Sequence, residues 1–250
     1  MKKFLALILA LVMALSLVAC GSKDNGKTDG DKTTDSKYKV AMITDYGDIT
    51  DQSFNQTTYE ACKAFSDDNG IEFSYFKPAG DNTADRVAMI EKAADEGYNV
   101  IVMPGYAFGG AIKEAQDTYP NVKFVALDVS EYDITSEFYK KDASGNATDE
   151  LLSADKQPHV SKNVYSAVYK EELCGYMAGY AAVKLGYTHL GVLGGMAVPA
   201  VQRFGYGFVQ GADAAAVEMG IADQVVMEYA YGNQFYGDSD ITAYMDNWYQ

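Results

Sequence analysis

The sequence has 250 residues, 35 acidic against 20 basic side chains, and a formal net charge of −15. Phosphates repel so acidic a chain, which argues against nucleic acid and against peripheral binding to anionic lipid. The acidity suits solubility outside the cell.

Lys2 and Lys3 precede an apolar run from Phe4 to Ala19 that only Ser16 interrupts. A charged start and a short apolar stretch read as a secretory signal over residues 1–19. The run falls short of the ~20 apolar residues a membrane-spanning helix needs. It ends in Leu17-Val18-Ala19-Cys20, which resembles the bacterial lipobox. Acylated Cys20 would be the new N-terminus, and loss of two lysines would take the charge to about −17. Gly21 to Lys37 holds no large apolar residue. Such a stretch cannot offset its ordering entropy by burial, so residues 20–37 are expected to form a flexible tether. The expected location is the extracytoplasmic face of the cell membrane, held by lipid.

From Tyr38 short apolar runs alternate with segments of helical length. The runs are Tyr38–Thr44, Ile71–Phe76, Asn99–Met103, Val122–Leu127, Asn163–Val168, His189–Leu193 and Gln224–Tyr231. Continuous Val/Ile/Leu-type stretches predict parallel strands covered on both faces. The first helix is expected to start in a capping box, with Ser53 as N-cap and Gln56 three residues on. Gly97 and Pro120 mark helix stops. Phe138 to His159 is polar and irregular, and residues 138–160 read as an exposed insertion without a site. After it, Glu171–Gly186 carries Leu173, Met177, Ala181 and Leu185 at four-residue steps. Gln202–Gly220 carries Phe208, Ala212, Ala215 and Met219. Cys62 and Cys174 fall in these helical segments and are expected as buried small residues.

The alternation predicts an α/β, doubly wound architecture in two lobes, residues 38–166 and 167–250, with a crossover near Val164–Lys170. The second lobe is short, and its last helix, Asp240–Gln250, has no strand after it. An open sheet of so few strands buries little surface, so this lobe is expected to be incomplete.

Ligands of open parallel sheets bind at the carboxyl ends of the strands. Those ends carry Asp45 with Phe54 and Asn55 beyond it, then Pro104-Gly105-Tyr106, then Asp128. The second lobe offers Gly194-Gly195-Met196, Gln202-Arg203-Phe204 and Gly232-Asn233-Gln234-Phe235. Carboxylates accept from hydroxyls and aromatic faces stack on planar rings, so the set suits a ligand such as a nucleoside. Helix glycines (Gly175, Gly179, Gly205, Gly207, Gly211) point to close approach by a backbone or a ligand. No serine-hydrolase elbow, P-loop, zinc-protease pattern or dinucleotide fingerprint occurs, and neither His159 nor His189 has a metal-like neighbour. The chain is therefore read as no enzyme and as needing no cofactor or metal.

Val40-Ala-Met-Ile-Thr-Asp45 leading to Asp51-Gln-Ser-Phe-Asn-Gln56 resembles the first strand and helix of the basic membrane protein family, lipoproteins that include purine nucleoside receptors. Asn121 to Asp128 is similar to that family's fourth strand. Asn163 to Val168, then Lys170-Glu-Glu and Gly175 to Gly179, is similar to its crossover and next helix. Gly194 to Met196, Pro199, Val201 to Phe204 and Gly207-Phe208 resemble the start of its second lobe. The resemblance implies a type I periplasmic-binding-protein fold, two Rossmann-like lobes with a hinge and a ligand in the cleft. It implies a base between Phe54 and Phe204, with Asp45, Asn55 and Asp128 on polar groups. It implies an ABC permease and ATPase as partners. Two other readings stay open: a receptor for another planar or sugar-like solute, and a sensor or surface lipoprotein without transport. The sequence departs from the family at Asp48 and Thr50, in the insertion, and in ending before the family's later aspartate and lysine.

Overall fold

The computed structural model describes residues 37–249. The signal segment, Cys20 and nearly all of the tether lie outside the described residues.

The first half lays down four strand–helix units. Strand β1 (Lys39–Ile43) leads to α1 (Phe54–Asn69), β2 (Glu72–Phe76) to α2 (Thr83–Asp95), and β3 (Val100–Pro104) through a 3-10 turn to α3 (Gly109–Thr118). Strand β4 (Lys123–Leu127) then leads to the short α4 (Glu131–Thr135). A hairpin, β5 (Tyr139–Lys141) and β6 (Ala147–Leu151), precedes β7 (Val164–Ala167). The sheet order is β2-β1-β3-β4-β7, every pair parallel. Helices cover both faces, so Ala41, Met42, Ile43, Ile101, Met103, Phe124 and Ala126 are all fully buried. The continuous apolar runs meet that demand.

The second half has α5 (Glu171–Lys184), β8 (His189–Gly194), α6 (Pro199–Met219), β9 (Val226–Tyr231) and α7 (Ser239–Trp248). β8 and β9 form a two-stranded parallel sheet. Its buried cluster is small: Val183, Ala212, Ala215 and Ala216.

Glycine sets how α5 and α6 meet. A Cβ on Gly175 or Gly179 would strike the carbonyl of Phe204 or Phe208, and one on Gly207 or Gly211 would strike that of Glu172 or Tyr176. The two backbones lie against each other, so backbone approach and not a ligand accounts for these four glycines. The four-residue spacing of α5 marks a helix, but that row of side chains does not face inward. Leu173, Met177 and Leu185 are 55%, 64% and 77% exposed, while Gly175, Gly179 and Val183 face inward. Cys174 shares the exposed side, contrary to the expectation of burial. Cys62 is half-buried, and burial pushes its thiol up to about 11.

The polar stretch after Phe138 is more regular than its composition predicts. Phe138 is buried, the β5–β6 hairpin follows, and the chain returns along α3. Gln116 Nε2 donates to the His159 carbonyl at 3.1 Å and Ser161 N–H donates to Gln116 Oε1 at 2.8 Å. Buried Asn163 shares its Nδ2 among the carbonyls of Gln116, Tyr119 and Val122, each at 3.1 Å. These bonds seat β7 beside β4.

Candidate functional site

The sheet order reverses direction between β1 and β3, and the carboxyl ends of strands at such a point are where open α/β sheets hold ligands. Asp45 stands there, two residues past β1. Asn55, on the first turn of α1, is buried. Its Nδ2 donates to Asp45 Oδ1 at 3.0 Å and to Asp51 Oδ2 at 2.9 Å, and its Oδ1 accepts from the Asp45 N–H at 3.3 Å. One amide thus fixes two carboxylates.

The cap of α1 differs from the expected box. The Ser53 side chain makes no capping bond. Asp51 Oδ1 instead accepts from the backbone N–H of Ser53 at 2.8 Å and of Gln56 at 3.1 Å. An ionised carboxylate at a helix N-terminus is a stronger acceptor than a hydroxyl, and it wins. Partial burial pushes the Asp51 carboxyl up, yet bonds from Asn55 and from the Gln56, Ser53 and Asn55 N–H groups leave it below its ordinary value. Asp48 is paired with Lys77 at 2.8 Å.

Gly105 brings β3 close to Asp45. Its φ is 119°, and a Cβ there would lie 3.4 Å from Asp45 Oδ2. Tyr106 follows, half-buried. Burial, helped by Asp45 and Tyr106, pushes the Tyr46 hydroxyl up to about 12. Behind this wall Arg86 is buried, paired with Asp81, with its guanidinium 5.8 Å from the Phe108 ring centroid.

Asp128 closes β4 at φ 55°, a left-handed conformation that aspartate tolerates better than most residues. Arg203 reaches it from α6. Arg203 Nε donates to Glu171 Oε2 at 2.6 Å, and its NH2 group lies 3.4 Å from Asp128 Oδ1. Burial pushes the Asp128 carboxyl up to about 6; Glu171 adds to the rise, Arg203 opposes it and Asp133 adds a little more. A cavity of about 30 Å³ separates the two sides, with Tyr106, Asp128, Ser130 and Asp133 on one and Pro199, Ala200 and Arg203 on the other. A larger groove of about 560 Å³ runs along β7 against Val129, Val164 and Tyr165, and none of the candidate residues lines it.

The aromatic candidates are arranged as follows. Phe54 is half-buried, and its ring meets Tyr169 edge-on at 6.2 Å and 78°. Tyr169 lies in the crossover between β7 and α5 and was not among the candidates read from the sequence. Phe204, on α6, keeps 47% of its surface open. The structure therefore gathers Asp45 with Asn55, and Asp128 with Arg203.

A family model, ABC transporter substrate-binding protein PnrA-like (Bmp), matches residues 38–233. The chain belongs to this family. Its members are solute-binding proteins, and the basic membrane proteins are among them. A CD4+ T-cell-stimulating antigen of Listeria innocua is 27% identical over 237 residues, 92% of this chain and 58% of that protein. The ABC transporter nucleoside-binding protein BmpA of Lactococcus lactis is 28% identical over 219 residues, 85% of this chain and 54% of that protein. The chain thus spans little more than half the length of these relatives. A solved ABC transporter solute-binding protein from Aeropyrum pernix superposes with a TM-score of 0.60 at 19% identity, covering 83% of this chain and 50% of the other. That likeness establishes the periplasmic-binding-protein type of α/β fold. Among the described residues no helix is long and apolar enough to cross a membrane.

The candidates at the strand ends are single residues, and the side chains that meet them come from other elements. Glu171, Arg203 and Tyr169 gain their place only through contacts between elements remote in the chain. The one local signal was Arg203 beside Phe204 at the start of a helix.

Proposed function

We propose that the protein is the lipid-anchored, extracytoplasmic receptor of an ABC importer and binds a nucleoside, above all a purine nucleoside, in the crevice at the strand ends. Cys20 carries the anchor, and a permease with its ATPase receives the ligand. The observation that carries this reading is the meeting of Asp128 and Tyr106 with Pro199 and Arg203 around one cavity. Strand ends from one half and a helix start from the other face a shared space, as ligand capture by hinge closure requires. Asp45, held by Asn55, offers a second acceptor, and Phe54 and Phe204 offer ring faces. The name of the Lactococcus lactis relative, a nucleoside-binding protein, supports the ligand class.

Magnitudes allow it. Stacking contributes about 1–3 kcal/mol per face. Hydrogen bonds to charged acceptors contribute about 1.5–3 kcal/mol each. Two of each sum to about 5–12 kcal/mol before association costs, so a micromolar constant, near −8 kcal/mol, draws on the upper end of both ranges. Calorimetry of the full-length mature protein with guanosine, inosine, adenosine, cytidine and ribose tests the reading. Purine nucleosides should bind. Binding of ribose with no nucleoside would overturn the proposal.

A further inference from the structure

Arg203 is held unequally by its two partners. Its Nε bond to Glu171 is 2.6 Å long, and the Glu171 side chain is 6% exposed. That bond fixes the plane of the guanidinium. The approach to Asp128 is 3.4 Å, well beyond the ~2.7–2.9 Å of a good charge-assisted bond. Asp128 is therefore left with acceptor capacity, and Arg203 with donor capacity, beside the same cavity. That cavity, about 30 Å³, has room for a water or two, which a polar ligand edge can replace.

A carboxylate alone accepts from any N–H. An arginine fixed next to it adds a second demand: the ligand must present an acceptor beside its donor. We propose that Asp128 and Arg203 form a donor–acceptor pair that reads the edge of a 6-oxopurine, Asp128 accepting from the ring N–H and Arg203 donating to the neighbouring carbonyl oxygen. Arginine suits that carbonyl because its fork can span the oxygen and N7, the acceptor nitrogen on the side away from the N–H that Asp128 takes. A 6-aminopurine places an amino group where Arg203 donates, so donor meets donor. Glu171 is a positioning residue in this scheme: it holds Arg203 and leaves the ligand to the other two.

The inference rests on the nucleoside reading above and makes a narrower claim. Calorimetry with inosine and adenosine on the full chain, on Arg203→Met and on Arg203→Lys separates the two. The wild-type protein should bind inosine about tenfold or more tighter than adenosine. Arg203→Met should abolish that preference, mainly by weakening inosine. Arg203→Lys keeps the charge, loses the fork and should lose most of the preference, which covers the case of a poorly folded methionine variant. Equal affinity of the wild type for both nucleosides, or an equal loss of both in the variants, overturns this inference alone. No binding of any nucleoside to the wild type overturns the broader reading, and this one with it.

Discussion

Gly175 of α5 and the carbonyl of Phe204 of α6 occupy adjoining space that a single Cβ would close. The same Cβ would lie 2.9 Å from the Phe208 nitrogen, so neither neighbour is a side chain that can swing away. Gly175→Ala should therefore push the helices apart. Overpacking of this kind costs about 1–3 kcal/mol, against a gain of roughly 1 kcal/mol in helix propensity. We expect a lower denaturant midpoint for Gly175→Ala. Gly220→Ala is the control: nothing crowds its Cβ, and only its φ of 70° opposes the change. A Gly175→Ala midpoint at or above wild type would mean that the helix contact yields easily.

The ring faces make a second prediction. Phe54 meets Tyr169 edge-on and is half-buried, and Phe204 is about half exposed. If each stacks on a base, Phe54→Ala or Phe204→Ala should weaken nucleoside binding by about 1–3 kcal/mol with little change in thermal stability. Calorimetry and melting of the same variants decide it. Loss of stability with unchanged affinity would make Phe54 and Phe204 packing residues.

Much of the architecture is legible in the sequence, and the reasons are local. Past their opening lysines β1 and β4 are apolar, as is β3 throughout, because helices cover both faces, and a continuous run says so directly. The strand ends follow from the strands, which is why the positions of Asp45 and Asp128 just past β1 and β4 can be read in advance. Three features resist such reading. Ser53 looks like a cap, but Asp51, two residues earlier, folds back and supplies a better acceptor. Leu173 and Met177 look like a buried stripe, but the helix turns its glycines inward because close backbone contact needs them there. The β5–β6 hairpin is short and polar and lacks the apolar alternation that marks a strand. The partners of Arg203 are a fourth case: the residue itself stands among the second-lobe candidates, but Glu171 and Asp128 lie 32 and 75 positions away, and no sequence window joins them.

His159 supplies a prediction about pH. Its Nδ1 lies 2.9 Å from the Gln157 carbonyl and its Nε2 lies 3.1 Å from Asp117. Both interactions, the carbonyl first, favour the protonated ring and raise its value above 6.5, while slight burial opposes them. The sign follows from linkage. A raised histidine stabilises the fold fully below 6.5, and that contribution vanishes as pH rises through the folded value. The groups are largely exposed, so the effect should stay below about 1 kcal/mol. Relative to His159→Gln, the wild-type protein should be more stable at about pH 5.5 than at about pH 8. A difference that is flat or rises with pH would remove the Asp117 contact as its source.

Asp128 behaves in the opposite sense and bears on the ligand as well. Its ordinary value is 3.8 and burial carries it to about 6, so the folded chain holds this proton more tightly than the unfolded chain does. Stability must then fall as pH rises from about 3.8 through about 6 and level off above that. Asp128→Asn removes the charge and keeps a residue that tolerates a φ of 55°. Against that variant, the wild-type protein should lose on the order of 1 kcal/mol of unfolding free energy between about pH 4 and pH 7. Denaturant curves across that range measure it, and parallel curves would mean that Asp128 ionises as an ordinary carboxyl. The same proton reports on function. A protonated Asp128 is a poorer acceptor, so nucleoside affinity should weaken as pH drops below about 6. In Asp128→Asn that pH dependence should disappear. Affinity that ignores pH in the wild type would place the ligand's N–H somewhere other than on this carboxylate.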